Sequence, residues 1–350
     1  MRRLTLILSD LYMPEEAAGN AALSSAIELP NFDWLLRFAD PPQHIRDWRS
    51  WLADEMALPE LARLPVAQAC ARYLLQHDAS AWLATPVHLE ARLDHVRLVD
   101  RGMLRVAAAE RAAWCAEFAQ AFAPQYSLHD AGERGFLLTG IAPTIVQSHD
   151  PARLLDADIS ASLPRGPEAA ELRRLGAEIE MWLHRAALNA RRERAGERRI
   201  SALWLWGGGL DEPSDSPANR NANAALPRDA HLHGGDPFLP AAARAVAAAG
   251  GRELRWAAAP ESFAEMDVSA AHAVVELTPM TGPARESLAS MEAHWFAAVR
   301  AAMKGGLLTA CDVIANDRWF HIGSRAHRKF WRRRASWLRR LGSEARVAKA

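Results

Sequence analysis

Cysteine is scarce: Cys70, Cys115 and Cys311 are the only three in 350 residues. They are odd in number and far apart, which excludes a disulfide framework and a CxxC metal site and fits a reducing compartment. Net charge is missing as well, with 42 Lys and Arg against 42 Asp and Glu. That balance gives no reason to expect nucleic acid or a membrane surface as partner. No segment approaches the roughly 20 apolar residues needed to span a bilayer. MRRLTLILSDLY opens on two arginines as a secretory leader does, but its apolar run ends at Ser9 and Asp10, too soon for a leader's core. A cytoplasmic protein is the expectation. Several motifs are absent too. Neither the GxGxxG nor the GxxxxGKS/T phosphate-loop spacing occurs, nor do GxSxG or HExxH, so local signals alone name no enzyme.

What is present is a chain half hydrophobic in composition, long enough for one large α/β core with an inserted subdomain or for two modest domains. LTLIL (Leu4 to Leu8) is a continuous apolar run closed by Ser9 and Asp10, which predicts a buried strand with a polar loop at its carboxyl end. In open α/β sheets ligands sit at such ends. Pro30 and Asn31 open a helix whose Phe32, Leu35 and Leu36 share a face. From Pro41 to about Leu83 the pattern reads as helical, with Trp48, Trp51 and Leu52 as core positions. Two β-like runs flank Asp100-Arg101-Gly102, which predicts a hairpin there. A helix follows over Ala109 to Ala123, then a strand in GFLLTGI and a proline-punctuated loop containing Pro151, Pro164 and Pro167. Beyond 209 the chain alternates a polar loop, a helix near Pro240 to Ala249, strands near Leu254 to Ala257 and Ala273 to Leu277, a helix over Arg285 to Met303 and a hairpin in GLLTACDVIANDRWFHIG. Such alternation predicts a mainly parallel sheet sandwiched by helices. From Ser324 onward ten basic residues stand against one acid, which reads as a solvated amphipathic helix and tail.

The stretch EIEMWLHRAALNARRERAGERRISALWLWGGG, Glu178 to Gly209, carries the strongest pattern. Leu172, Leu175, Ile179, Trp182 or Leu183, and Ala186 recur every three to four residues, the buried face of a long helix that starts near Glu168. Arg191, Arg192 and Arg194 gather at its end, where cations complement the macrodipole. Gly196 supplies the left-handed backbone that closes it. ISALWLW is then an apolar strand covered on both faces. Gly207, Gly208 and Gly209 let backbone come close to something or simply turn the chain. His184, beside Trp182 and Leu183, reads as a hydrogen-bonded core histidine.

Candidate metal donors are few. HLHGGD places His231, His233 and Asp236 within reach of one ion in principle, although a solvated loop is the default for a segment without framework. His149 and Asp150 in SHDP form a similar pair, usually a turn cap.

LHRAALNARRERAGERRISALWLWGGG resembles a signature of the archaeal-type cofactor-independent phosphoglycerate mutases, members of the alkaline phosphatase superfamily. His184, Asn189, Arg192, Gly196, Trp204, Trp206 and Gly207 match the pattern, while Ala187 stands where that family has a proline. LILSDL is similar to the superfamily's first strand, LPNFDWLL to its following helix, and SHDP to its Asp-Pro loop. EIEMWLH, LWLWGGG and FWRR also resemble a proteobacterial group, the RpfE-type regulatory proteins. The resemblance implies an alkaline phosphatase-like core over 1–83 and 165–323, an inserted cap subdomain over 84–164 and a basic tail over 324–350.

The superfamily's chemistry uses two divalent metal ions, Mn or Zn, and a Ser or Thr nucleophile. Asp10 matches the first metal ligand. The other ligands do not match: HAVVELTPMTG and LTACDVIAND stand where the family carries Asp and His, and Ser24, Ser25 and Ser80 lack a nucleophile's context. The expectation is therefore a mutase-like protein without two-metal catalysis and without a cofactor, binding a phosphorylated small metabolite or a protein partner. Asn189, Arg192, Gly207, Gly208 and Gly209 are the expected phosphate ligands. The alternative is an active phosphotransferase with a rearranged metal site built from Asp10, His149, Asp150 and HLHGGD.

Overall fold

The computed structural model describes residues 2–12, 27–78, 80–209, 230–251, 254–267, 269–279, 284–326, 331–333 and 335–342. Ser24, Ser25, the polar stretch 210–229 and the tail beyond 342 lie outside the described residues. In chain order the strands are β1 (Arg3–Leu8), β2 (Gln43–His44), β3 (Ala81–Ala91), β4 (Val96–Met103), β5 (Ser127–Asp130), β6 (Phe136–Thr139), β7 (Ala157–Asp158), β8 (Ala202–Trp206), β9 (His231–His233), β10 (Arg255–Ala257), β11 (His272–Leu277), β12 (Ala310–Ala315) and β13 (Arg318–Gly323). The described helices of eight residues or more are α1 (Pro30–Phe38), α2 (Trp48–Glu55), α3 (Ala108–Phe122), α4 (Ala169–Arg185), α5 (Ala187–Arg194), α6 (Phe238–Ala248), α7 (Ala284–Met291) and α8 (Ala297–Lys304). The class is α/β, and the chain forms two compact units.

The first unit comprises Met1–Ala57, Asn221–Gly234 and Gly250–Ala350. Its seven-stranded sheet has the order β10-β9-β11-β1-β12-β13-β2. The first five strands of that order run parallel, β13 runs antiparallel to β12, and β2 antiparallel to β13. β1 takes the centre because LTLIL is apolar on both faces. Leu4, Leu6 and Leu8 enter a core shared with Phe32 and Leu35 of α1 and Val299 of α8. Phe32 stacks on Phe296 at 4.5 Å between centroids. Leu29 gives α1 no side-chain cap. Glu292 supplies one instead, accepting from the backbone N–H groups of Asn31 at 2.6 Å and Phe32 at 3.2 Å, a carboxylate placed where the helix dipole favours it. On the opposite face α2 begins at Asp47, whose carboxylate accepts from Arg49 N and Ser50 N at 2.9 Å each. Trp48, Trp51 and Leu52 of α2 are buried as expected, with Trp51 meeting Trp319 of β13 at 5.7 Å. The basic tail carries a short helix, Trp337–Gly342, whose Trp337, Leu338 and Leu341 belong to the same core as β1.

The second unit, Leu58–Arg220 and Gly235–Ala249, holds a six-stranded antiparallel sheet, β5-β6-β3-β4-β7 with β8 also paired to β3. Helical character was expected to continue to about Leu83, and this is corrected: Ala81 to Ala91 is one strand of eleven residues. Its alternation is hidden because Ala81 to Ala84 are buried on both faces, which removes the period of two. The position 83/84 set for a boundary falls inside β3, and β8 pairs along the same strand from Leu83 to Val87. The hairpin expected at Asp100-Arg101-Gly102 is also corrected. Those residues lie within β4, where Arg101 takes φ 57° and the ladder to β3 shifts register between Val87 and Leu89. This is a bulge. The turn lies earlier, closed by Arg92 N donating to His95 O at 2.8 Å.

Trp182 of α4 sits edge-on to Trp114 and Phe118 of α3, each at 5.4 Å, so this half-buried tryptophan packs against the core. The predicted long helix is interrupted: Ala186 has φ −65° and ψ 131°, ending α4, and α5 starts at the next residue.

Candidate functional site

The carboxyl ends of the parallel strands are where the fold would place chemistry. Ser9 and Asp10 follow β1 there, 3% and 1% exposed. The register pairs Ile7 with Glu276 of β11, so Ser9, two residues past Ile7, comes to the same face. Its hydroxyl donates to the Glu276 carboxylate, and its N–H donates to Leu277 O at 3.0 Å. Glu276 is itself only 2% exposed. β12 leaves its end through Asn316 and Asp317, whose φ values of 50° and 54° make the two-residue turn into β13. The expected hairpin is present. Asn316 Nδ2 donates to Leu341 O at 2.9 Å, a contact that ties this turn to the short terminal helix.

His149 and Asp150 lie in the second unit. Asp150 caps its own 3-10 turn, accepting from Ala152 N at 3.0 Å. The His149 carbonyl accepts from Trp204 Nε1 at 2.8 Å. Burial, with Arg153 and Arg165 nearby, pushes the His149 imidazole below its ordinary pKa. In HLHGGD the donors fall in different units. His231 and His233 belong to β9 in the first unit, with His231 Nδ1 3.9 Å from Asp267, and burial lowers the His233 pKa. Asp236 belongs to the second unit, where it accepts from Phe238 N at 2.9 Å and faces Arg134 at 3.5 Å. The segment expected to lack framework is therefore half strand and half helix cap. Among the described residues no group of three or more His, Cys, Asp or Glu is arranged to hold a metal ion.

The expected phosphate ligands are engaged with protein. Asn189 is 2% exposed. Its Nδ2 donates to Leu183 O and Ile200 O, and its Oδ1 accepts from Ile200 N, all at 2.8 Å. One side chain thus joins the end of α4, the start of α5 and the entry to β8. Arg192 is 7% exposed. Its Nη1 donates to both Glu110 oxygens at 2.8 and 2.7 Å, and its Nε to Arg198 O at 2.7 Å. Glu110 lies on α3 and also accepts from Trp114 Nε1 at 3.0 Å. Of the two roles a buried arginine suits, pairing with an acid on a neighbouring helix is the one seen.

At the glycine run it is the protein's own backbone that comes close. A Cβ on Gly208 would stand 2.3 Å from Ala81 O and 2.7 Å from the Trp82 ring. Gly207 and Gly209 take φ 68° and 89°, and Gly207 O accepts from Ala67 N at 2.8 Å. His184 is corrected. It is exposed on α4 rather than in the core, and its Nδ1 accepts from Arg199 Nη2 at 3.2 Å.

Sequence reasoning passed over two groupings in the first unit. One is the Ser9–Glu276 pair. The other is Asp312 of β12, which is fully buried and accepts from Arg3 Nε at 2.7 Å, Trp319 Nε1 at 2.9 Å and His321 Nδ1 at 2.8 Å. The signal for both was available: HAVVEL and ACDVIA each set one acid inside an apolar strand, and a buried acid requires a partner.

No family model matches the chain. Over 83 residues it is 35% identical to the 2,3-bisphosphoglycerate-independent phosphoglycerate mutase 2 of Methanothermobacter thermautotrophicus. That alignment takes in 23% of this chain and 20% of the relative. Among solved structures, the cofactor-independent phosphoglycerate mutase from Thermoplasma acidophilum aligns over 98% of this chain and 95% of its own, at 15% identity and a TM-score of 0.40. A Pyrococcus horikoshii protein aligns over 92% and 87%, at 13% identity and a TM-score of 0.44.

Proposed function

We propose that the chain is a phosphoglycerate mutase-like protein that has lost two-metal catalysis and acts by binding, as a regulatory protein of the RpfE type, a phosphorylated small metabolite or a protein partner. An alkaline phosphatase-type core with a cap subdomain in 84–164, working in the cytoplasm, is the setting this reading implies. The sequence match to a 2,3-bisphosphoglycerate-independent mutase supports the kinship, on about a fifth of that relative's length.

One observation carries the loss of catalysis. At the end of β11, where the resemblance calls for Asp and His, the chain leaves through Glu276-Leu277-Thr278, with Glu276 buried and bound by the Ser9 hydroxyl. Two further carboxylates, Asp150 and Asp236, cap helical turns. A pair of dications transferring a phosphoryl group needs several anionic and imidazole ligands around both ions. The donors described at this rim do not fit that requirement, so no reaction step is assigned to metal here.

The test is metal content after mild purification, followed by assay with 3-phosphoglycerate with added Mn or Zn. The expected result is no stoichiometric metal, no turnover, and a thermal shift on adding the phosphorylated acid. Two tightly held ions with turnover abolished in Asp10→Ala would overturn the proposal and establish an active enzyme with a rearranged site.

A further inference from the structure

At the amino ends of the same parallel strands, away from Asp10, four ionisable side chains from four elements meet under α2. Arg3 of β1 donates through Nε to Asp312 of β12 at 2.7 Å and reaches Glu55 at the end of α2 through Nη2 at 3.4 Å. His321 of β13 donates through Nδ1 to the other Asp312 oxygen at 2.8 Å, across the register pair Asp312 and His321. The side chains of Asp312 and Glu55 are 0% and 9% exposed, while His321 is 39% exposed. We infer that Arg3, Glu55, Asp312 and His321 form a proton-uptake site that fastens α2 to the sheet at mildly acidic pH and loosens it as pH rises.

The charge count gives the reason. With Glu55 and Asp312 ionised and His321 neutral, two buried carboxylates share the single cation of Arg3. An enclosed surplus of negative charge is costly. One added proton, on Glu55 or His321, balances the set. The other charged groups nearby are acids with cations of their own, Arg332 pairing with Asp40 at 3.6 Å and Arg46 acting on Asp54. Asp54 lies beside Glu55 on α2, Asp40 adds a further negative charge near His321, and the Cys311 thiol next to Asp312 is held protonated, first by burial and then by that carboxylate.

The individual groups agree. Burial, against the pull of Arg3 and with the help of Asp312 and Asp54, raises Glu55 to about 7. The hydrogen bond to Asp312 raises His321 despite burial. Asp312 would be raised by burial, but its bonds to His321 and Arg3 hold it below the ordinary carboxylate value. Two groups that bind protons more tightly when folded withdraw stability as pH climbs from about 4.5 through 7 and above.

The experiment is hydrogen exchange of the α2 amides in the full chain between pH 5.5 and 8, corrected for intrinsic rates. The expected opening constant rises by up to about tenfold per pH unit for each proton released, and Glu55→Gln flattens most of that rise. A constant independent of pH, or the same slope in Glu55→Gln, would overturn the inference. The wild-type His321 ring, followed by NMR and identified by its loss in His321→Gln, gives a readout independent of how the Glu55 variant folds. A titration midpoint above 6.5 is expected, and one below it sinks the idea.

Discussion

Asn189 serves two backbone carbonyls and one backbone N–H from a buried position, and its replacement can be read as a stability experiment. Asn189→Ala removes all three bonds and leaves enclosed polar groups unsatisfied, so the expected loss is about 3 kcal/mol, seen as a lower urea midpoint at unchanged slope. Arg192 and Glu110 form the second such unit. Arg192→Met leaves a partly enclosed carboxylate behind and should cost about 3 kcal/mol, and a double-mutant cycle with Glu110→Gln should return a coupling of about 1–2 kcal/mol. A ligand that used Arg192 would have to displace Glu110 first, which makes the same cycle informative: coupling that vanishes on adding 3-phosphoglycerate would show such an exchange. Gly208→Ala must push a methyl group into Ala81 O and the Trp82 ring, and the expected loss is about 2 kcal/mol or more, with a lower melting temperature as the readout.

At the scale of elements, the break between α4 and α5 is the informative one. Ala186 is extended, the conformation that a following proline imposes on its neighbour, and Ala187 opens α5 at the position where proline is best tolerated. The chain therefore keeps a kink whose usual cause is absent, with Asn189 holding the two helices by bonding Leu183 O across the break. Ala187→Pro should be accepted and stabilise by about 0.5–1 kcal/mol through the unfolded state, raising the melting temperature by a few degrees.

This element also shows how far the sequence could be read. The amphipathic period of α4, the closing Gly196 and the apolar β8 were legible because each depends on local pattern. The kink was not, because the residue that maintains it acts through a side-chain bond six positions away. β3 escaped for a similar reason: burial on both faces erases alternation, and its strand character depends on β4, β6 and β8 beside it. Of the candidate site, Asp10 at a strand end was legible from the run that precedes it, whereas Glu276 needed the parallel register to bring it to Ser9.

For the molecule as a whole, titration sets the stability profile. Asp47 and Asp312 are both held below the ordinary carboxylate value although burial alone would raise them, Asp47 by bonds from Ser50 with Arg46 and Arg49 close by, Asp312 by His321 and Arg3. A depressed folded pKa contributes stability above the unfolded value near 4 that is lost as pH falls through the folded one. With Glu55 and His321 withdrawing stability on the alkaline side, and the lowered imidazoles of His129, His149 and His233 withdrawing it as pH falls below their ordinary value, the unfolding free energy should peak between these limits and fall on both sides. Denaturant midpoints measured from pH 3 to pH 8.5 check this, and a maximum above pH 8 would contradict it.

The central strand of the seven-stranded sheet is also the first to be made. Its neighbours, β11 and β12, follow only after residues 272 and 310. A ribosome building this polypeptide therefore releases a sticky LTLIL segment well ahead of its hydrogen-bonding companions at 272 and 310, while residues 80–209 can already settle around β3. Chains cut short before β11 should carry that strand unsheltered, and a holdase chaperone should bind them more strongly than it binds the 350-residue chain.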